Sequence, residues 1–258
     1  MSVYNKEKAI YLKDCLESLV SQTVPPTEVV IVQDGPISED LLSVIDEFKD
    51  RLSVQSLKLD HNIGLARALN AGIPRCKYDL IARMDSDDIA LPKRFETQLM
   101  LMSDETVDVC SGVIEEWDAN FERQISTRHL PLVHHEIVNF ARSRSPISHP
   151  AAMYKKKAIL AVGGYVDVYP EDHLLWVKLI QNGARFSNSR ETLVKMRTGD
   201  MFFKRRGLKF LKGQIYTFKY MKDTGFISNL KFLQLTIMYS ALRMSPGWLK
   251  LLLYKVAR

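Results

Sequence analysis

Three acidic residues follow an apolar stretch in the first half of the chain. Asp85, Asp87 and Asp88 come after residues 78–84, whose sequence is YDLIARM. Carboxylates two residues apart at a strand end are well placed to bind a divalent cation, because hard cations such as Mg²⁺ and Mn²⁺ prefer oxygen ligands. Neighbouring acids also repel one another unless a positive charge lies among them. The cluster therefore predicts a metal site or a basic partner such as Arg83.

Two other interpretations of the same acids stay open. Either the three side chains are solvated loop acids, or one of them caps the helix that follows. An Asp-x-Asp pair after an apolar strand is also similar to the nucleophile motif of haloacid-dehalogenase-type phosphatases, in which the first Asp attacks phosphorus. That motif usually opens a chain, whereas here it follows two strand–helix units. Its late position favours the cation site.

The elements that must position these acids alternate between strand and helix patterns. Strands are predicted at 28–32, 54–59, 78–84 and 107–114, and helices at 7–22, 41–48, 65–74 and 91–102. Such alternation predicts a parallel sheet built from strand–helix–strand units. Because ligands bind beyond the carboxyl ends of such strands, Asp34 and the acidic cluster are expected at the same edge. Further helices are predicted at 172–181, 205–222, 227–244 and 248–257.

The overall composition is that of a globular protein. The 258 residues are 46% hydrophobic and 26% charged, which excludes collagen and wholesale disorder. Cys15, Cys76 and Cys110 are far apart and odd in number, so they predict reduced thiols in a cytoplasmic protein rather than disulfides or a zinc site. No transmembrane stretch or secretory signal is expected.

Charge is distributed unevenly along the chain. Residues 195–258 carry 14 basic and two acidic side chains, a net charge of +12, whereas the other 194 residues carry 22 basic and 28 acidic ones, a net charge of −6. A basic region on an acidic body predicts an anionic partner. Residues 225–258 mix apolar and basic side chains, which favours helices at an anionic membrane surface, although packing against the body also fits. Nucleic acid is not expected, because an aromatic-rich surface for reading bases is missing.

Several short motifs follow one another in a recognisable order along the chain. They are SVYNKEK (2–8), LESLVSQT (16–23), VIVQDG (30–35), NIGLARALNAG (62–72), MDSDD (84–88), His149-Pro150, GGY (163–165) and EDHLLW (171–176). Together these motifs resemble glycosyltransferase family 2, in particular bacterial enzymes that build O-antigen, capsule or exopolysaccharide units. The resemblance covers roughly residues 1–200.

The resemblance implies an α/β fold of the GT-A type, with a Rossmann-like, mostly parallel sheet flanked by helices and a basic helical C-terminal extension. Residues 1–114 would form the nucleotide-sugar-binding half, 115–200 the acceptor-binding half and 201–258 the basic amphipathic region. The implied activity is inverting, metal-dependent transfer of a hexosyl or N-acetylhexosaminyl group from a UDP-sugar. The implied acceptor is a lipid-linked oligosaccharide at the cytoplasmic face of the inner membrane.

The resemblance also implies roles for individual donor-side residues. The donor would be bound by Tyr4, Glu7, Asp34, Arg67 and Asp85. Asp34 would read uracil, Asp85 would lie near the ribose, and Asp87 would ligate the Mn²⁺ or Mg²⁺ that bridges the diphosphate. Alternatives are a first-turn helix acid for Glu7, a turn former for Asp34 and a solvated helix residue for Arg67. Family members usually carry two acids where this chain has Gln33-Asp34.

On the acceptor side, the resemblance makes Asp172 the base that takes the proton from the acceptor hydroxyl, with Glu171 supporting it. A helix-capping acid pair is the alternative. Two further residues, His149 and Trp176, are candidates for acceptor contact, or else structural residues. Arg205-Arg206 is a candidate diphosphate clamp, or else a solvated charge run.

Two further expectations concern the whole chain. A non-catalytic membrane-surface or glycan-binding protein that kept the fold is the rival to the enzyme. Family members normally carry a complete apolar strand before the motif that starts at Ser2, so we expect the natural product to begin several residues before Met1.

Overall fold

The computed structural model of the chain describes residues 1–198 and 207–244, and the strands in these residues form two sheets. The first sheet has three parallel strands, β1 (Ser2–Val3), β2 (Val29–Gln33) and β3 (Val54–Lys58), in that order. Helices α1 (Ala9–Val20) and α2 (Glu39–Glu47) connect them. The apolar face of α1 is buried, as its helical spacing predicts, and β2 and β3 match the predicted strands closely.

The second sheet has the order β4-β8-β6-β9-β5, with β7 paired to β6. Its strands are β4 (Leu80–Ala82), β5 (Ile89–Ala90), β6 (Val109–Trp117), β7 (Gln124–Arg128), β8 (Met153–Lys155) and β9 (Phe186–Arg197). Only the β6–β9 pair is parallel in this sheet. The structure here differs from the expected mostly parallel pairing. A short turn makes β7 antiparallel to β6, and the other antiparallel pairs join segments that are far apart in the sequence.

The other helices are α3 (Leu65–Gly72), α4 (Arg94–Met102), α5 (His134–Ala141), α6 (Lys156–Ala161), α7 (Asp172–Gln181), α8 (Leu208–Asp223) and α9 (Asn229–Met244). Short 3₁₀ turns lie at Ile73–Arg75 and His149–Ala151. The predicted helix at 172–181 is observed without change, and those at 205–222 and 227–244 correspond to α8 and α9. The helix predicted at 248–257 lies outside the described residues.

Two hydrophobic cores place the helices on the sheets. One packs α1 and α2 against the first sheet through Leu12, Leu16 and Leu41, and the other surrounds Trp176 of α7. A smaller cluster, which includes Phe218 of α8, fastens α8 and α9 to α7. Residues 85–88 and the start of α7 are therefore next to elements that pack in these cores.

Among residues 1–198 and 207–244, no helix combines the length and the apolar character needed to cross a bilayer.

Candidate active site

The acidic loop, residues 85–88, joins β4 to β5 and is built over two buried arginines. Both terminal nitrogens of Arg83 donate to the Asp85 carboxylate at 2.5 Å, and the Arg83 side chain is 3% exposed. Arg94 of α4 is fully buried and donates to the backbone oxygen of Arg83 at 2.5 Å. The basic partner predicted for the acids is thus present, and it offsets the repulsion between them.

Asp88 is a buried member of the loop, not a solvated one. It is 1% exposed, and its Oδ1 accepts a hydrogen bond from the backbone amide of Arg197 at 2.8 Å. Its Oδ2 has no hydrogen-bond partner in the described part of the chain. Burial, together with the charges of Asp85 and Asp87, raises the pKa of Asp88 well above its usual range. Such an oxygen is satisfied either by its own proton or by a cation.

Arg197, the last residue of β9, holds the loop in place. Its Nε donates to the backbone oxygen of Asp87 at 2.9 Å. Its guanidinium carbon lies 3.6 Å from the centre of the Tyr11 ring and 4.1 Å from that of Phe121. Sequence analysis missed this residue, because no motif marks it and its partners come from distant parts of the chain.

Glu7 also supports the acidic loop. Its Oε2 accepts from the Ser86 hydroxyl at 2.6 Å, and its Oε1 accepts from the backbone amide of Lys8 at 2.9 Å. Tyr4 is 39% exposed, and its backbone oxygen accepts from the Glu7 amide at 3.0 Å. The structure thus places Glu7 under the loop and leaves the Tyr4 ring accessible beside the start of α1.

Asp34 follows β2 and anchors the loop that leads into α3. Its carboxylate accepts from the backbone amides of Ile63 at 2.7 Å and Gly64 at 3.1 Å, and the side chain is buried. Asn62 donates from its amide to the Asp34 backbone oxygen at 3.1 Å. Asp34 therefore holds the loop at residues 62–64 in place, and the turn-forming and uracil-reading interpretations of it both stay predictions.

Arg67 lies on the surface of α3. It pairs with Asp167 at 2.7 Å, and the two side chains are 61% and 55% exposed. An ion pair this exposed contributes little to stability, so the Arg67 side chain is accessible to solvent and to ligands.

The second acidic pair, Glu171-Asp172, lies at the start of α7. Asp172 Oδ2 accepts from the Ser145 hydroxyl at 2.6 Å. Glu171 is buried, and its Oε1 lies 3.7 Å from His149 Nδ1. Burial and the adjacent Asp172 charge raise the pKa of Glu171 to about 7. The two acids thus occupy different environments. The Asp172 carboxylate is hydrogen-bonded to a hydroxyl, and the pKa of buried Glu171 is close to neutral pH.

His149 connects this pair to the rest of the site. Its Nε2 lies 2.9 Å from the Tyr165 hydroxyl. Burial, and to a smaller extent the charge of Arg83, hold the pKa of His149 well below the usual range.

Tyr165 is itself held in place by α3. The Asn70 side-chain amide pairs with the Tyr165 backbone, at 2.7 Å and 2.8 Å. Gly164, with a φ of +71°, permits this approach, since a Cβ there would lie 2.3 Å from Asn70 Oδ1.

Arg83 links the acidic loop with the start of α7. Its charge acts on the pKa values of both His149 and Glu171, and the charge of Asp85 also acts on that of Glu171. Two acidic sites separated by more than 80 residues in the sequence thus share one electrostatic environment.

Comparison with known proteins identifies the family of this chain. Residues 1–164 match the sequence model of the family described as glycosyl transferase family 2. The chain belongs to this family. It is accordingly a glycosyltransferase, as the motifs predicted.

Two relatives match this glycosyltransferase over most of their length. The amylovoran biosynthesis glycosyltransferase AmsE of Erwinia amylovora is 39% identical over 233 residues, which are 88% of this chain and 87% of AmsE. The UDP-Gal:alpha-D-GlcNAc-diphosphoundecaprenol beta-1,3-galactosyltransferase of Escherichia coli is 36% identical over 239 residues, which are 89% of this chain and 86% of the relative.

Solved structures identify the fold of the glycosyltransferase. The mannosyltransferase PcManGT of Pyrobaculum calidifontis, solved with GDP-Man and Mn²⁺, superposes with a TM-score of 0.63. It is 16% identical, and the match covers 99% of this chain and 78% of that one. The α/β GT-A fold predicted from the motifs is confirmed.

Trp176 does not contact the open part of the glycosyltransferase site. It is fully buried and packs edge-on against His149 and Phe186, with ring centres 6.0 Å and 6.4 Å away. A residue buried in this way packs the core, the alternative weighed for it, and does not stack on a sugar. Arg205 and Arg206 lie outside the described residues.

The acidic loop fits a divalent cation only with help from a substrate. Within residues 1–198 and 207–244, no three His, Cys, Asp or Glu side chains form a ready-made metal site. The buried Oδ2 of Asp88 and the neighbouring Asp87 offer carboxylate oxygens. Hard cations that keep few protein ligands complete their coordination with phosphates and water, as a nucleotide diphosphate supplies.

Proposed function

We propose that this glycosyltransferase moves a sugar from a UDP-sugar to a lipid-linked oligosaccharide in the synthesis of a surface polysaccharide. The observation that carries the proposal is the shared environment of Asp85 and the Glu171-Asp172 pair around Arg83. The Escherichia coli relative supports the donor and acceptor classes, since its name specifies UDP-Gal and a diphosphoundecaprenol-linked sugar. The amylovoran relative supports the polysaccharide product.

The donor half would hold the nucleotide and its cation. Tyr4, Asp34, Arg67 and Asp85 contribute to nucleotide binding, with Glu7 and Arg197 holding the loop from below. Asp87, assisted by Asp88, would hold a Mn²⁺ or Mg²⁺ ion. When bound, the cation neutralises negative charge on the departing diphosphate.

The acceptor half would supply the base. The acceptor hydroxyl oxygen attacks the anomeric carbon from the face opposite UDP, its proton passes to Asp172, and the bond between that carbon and the UDP oxygen breaks. A single displacement of this kind inverts the anomeric configuration. The hydrogen bond from Ser145 orients the Asp172 carboxylate for this step, and Glu171 supports it as a buried neighbour.

The place of action follows from the acceptor and from charge. A lipid-linked acceptor lies in a membrane, and the basic C-terminal region suits the anionic cytoplasmic face of the inner membrane. We therefore propose a cytoplasmic, peripheral enzyme.

Release of UDP from a panel of UDP-sugars, with Mn²⁺ or with chelator, tests this proposal. The wild type would be compared with Asp87→Ala and Asp172→Asn, and with Asp46→Ala as a control, because Asp46 is an exposed acid of α2. We expect release that needs the metal, disappears in Asp87→Ala and Asp172→Asn, and persists in Asp46→Ala. The absence of UDP release and of UDP binding by calorimetry would contradict the proposal and favour a non-catalytic protein.

A further inference from the structure

We propose that one face of α9 docks on an anionic lipid bilayer. This outer face contains Leu230, Leu233, Ile237 and Met238, which are 66%, 54%, 60% and 52% exposed, with the exposed polar residue Gln234 among them. Their spacing of three, four and one residues places them along one side of the helix. The proposal rests on the proposed function for the presence of an acceptor in the membrane, and it names the surface that contacts the lipid.

The outer face is mostly apolar, with four large apolar side chains around Gln234, where a surface helix is normally polar. The opposite side of α9 already packs on α8, through Leu235 in the small cluster with Phe218 and through Tyr239, whose ring centre lies 5.1 Å from that of Phe218. Helix α9 thus has apolar residues on both sides. No described residue of the chain covers its outer face. Exposed apolar patches of this kind mark binding surfaces.

The charge of the surroundings selects lipid as the occupant. Residues 207–244 carry six basic side chains and a single acidic one, Asp223. Lys231 lies beside the outer face, and Lys212 and Lys219 are exposed on α8. An exposed apolar face with Lys231 beside it, in a mostly basic region, suits the boundary between lipid headgroups and acyl chains of an anionic bilayer. A second copy of this region would instead bring like charges together.

The position of the α8–α9 hairpin connects lipid binding to the site. The Tyr239 hydroxyl donates to the backbone oxygen of Ser143 at 3.1 Å, two residues before Ser145. On α8, Gln214 lies 3.5 Å from His173, the residue after Asp172. A bilayer held against α9 would therefore be fastened to the elements that carry the proposed base, and an acceptor anchored in that bilayer would lie within reach.

Vesicle co-sedimentation of the full chain tests the proposal. The vesicles would contain phosphatidylglycerol and phosphatidylcholine, or phosphatidylcholine alone. The test variant is Leu233→Glu/Ile237→Glu, and Met100→Glu is the control, because Met100 is a 72% exposed apolar residue on α4. We expect the test variant to bind anionic vesicles about tenfold more weakly, through lost apolar contact and added negative charge. The control should bind like the wild type, and neutral vesicles should bind all three weakly.

Equal binding by the test variant and the wild type would overturn the proposal. Sedimentation velocity without vesicles tests the other possible occupant, a second copy of the chain. A dimer that forms in the wild type and is lost in the test variant would assign the outer face to that second copy. UDP release in the absence of vesicles should be unchanged in the test variant, which also shows that it is folded. A further outcome is a wild type that releases no UDP and a test variant that still binds anionic vesicles more weakly than the wild type. In that case the proposed function fails and the docking surface stands.

Discussion

Arg197 and Asp88 join the end of β9 to the acidic loop through a hydrogen bond of 2.8 Å, from the backbone amide to the carboxylate Oδ1. The same arginine reaches the preceding residue of the loop with its side chain, whose Nε donates to the Asp87 backbone oxygen. Two aromatic rings enclose its guanidinium, which is 5% exposed. The conformation of the loop thus depends on a residue 109 positions later in the chain.

Replacement of Arg197 should weaken donor binding more than turnover. In Arg197→Met, the backbone bond to Asp88 stays. The side-chain bonds to the backbone oxygens of Asp87 and Ala119, the ion pair with Asp14 and both ring contacts are lost. A charge-assisted hydrogen bond contributes about 1.5–3 kcal/mol, so we expect a KM for the UDP-sugar at least about tenfold higher, with a smaller change in kcat. Steady-state UDP release at varied donor and Mn²⁺ concentrations measures both.

Two further variants separate positioning from general damage. Arg197→Lys keeps the charge and should recover part of the loss, whereas Arg190→Met, an exposed position on the same strand, should behave like the wild type. An Arg197→Met enzyme with normal KM and low kcat would contradict the positioning role.

Asp85 should stabilise the protein through Arg83. In Asp85→Asn the buried guanidinium loses its charged partner, and breaking a buried ion pair from one side costs about 3–5 kcal/mol. Because Asp85 is 31% exposed, we expect a loss near the lower end, about 3 kcal/mol in the free energy of unfolding by denaturant. The double variant Arg83→Met/Asp85→Asn should lose less than the sum of the two single losses; strict additivity would show that the pair is not coupled.

Glu171 should make the stability depend on pH near neutrality. Its pKa in the folded protein is about 7 against a usual value of 4.5, so between these pH values the folded protein keeps a proton that the unfolded chain has released. The stabilisation is therefore fully present below about pH 4.5 and is lost as the pH rises through 7, by about 3 kcal/mol. His149, whose pKa is lowered, acts in the opposite sense below pH 6.5.

Glu171→Gln isolates this contribution. The glutamine side chain is neutral at every pH, like protonated Glu171. The free energy of unfolding of the variant should therefore match that of the wild type at pH 5 and exceed it at pH 8. Denaturant unfolding at the two pH values checks this. A wild type that loses no stability relative to Glu171→Gln between pH 5 and 8 would show that Glu171 is ionised in the folded protein throughout.

Ser145 should assist the proposed base. Ser145→Ala removes the 2.6 Å hydrogen bond to Asp172 and leaves the donor half unchanged. We expect kcat for hydrolysis of the UDP-sugar, measured as UDP release with water as the acceptor, to fall about tenfold. This corresponds to about 1.4 kcal/mol, and the KM for the donor should be unchanged. Ser143→Ala, which removes only a local bond to the Phe140 backbone oxygen, is the matched control. Equal kcat values in the two variants would argue against a role for Ser145.

The glycine pair before Tyr165 offers a comparison of two causes of instability. Both glycines have positive φ, 76° for Gly163 and 71° for Gly164, so alanine at either adds backbone strain of about 1–2 kcal/mol. Only at Gly164 would the new Cβ also collide with Asn70, at 2.3 Å, whereas nothing lies within 4 Å at Gly163. We expect thermal unfolding to show a larger loss for Gly164→Ala, and equal losses would show that Asn70 moves aside freely.

Much of the fold was predictable from local patterns. The strands β2 and β3 and the helices α1, α3 and α7 have strong periodicity, and they lie where it predicts. The short strands β5 and β8 were not predicted, because two or three residues are too few to show a period. The antiparallel pairing of the second sheet depends on contacts between distant segments, which no local pattern records.

The family, the strand–helix alternation of the first half and the residue types at both acidic sites can be predicted from local order along the chain. Packing between distant segments brings the charge of Arg83 to act on both the acidic loop and Glu171, buries Asp88 and places Trp176 in the core. The tertiary structure also revealed Arg197 as the support of the loop. Burial and charge neighbourhood arise from packing between residues far apart in sequence, and they set which carboxyl is ionised and which side chain a substrate can reach.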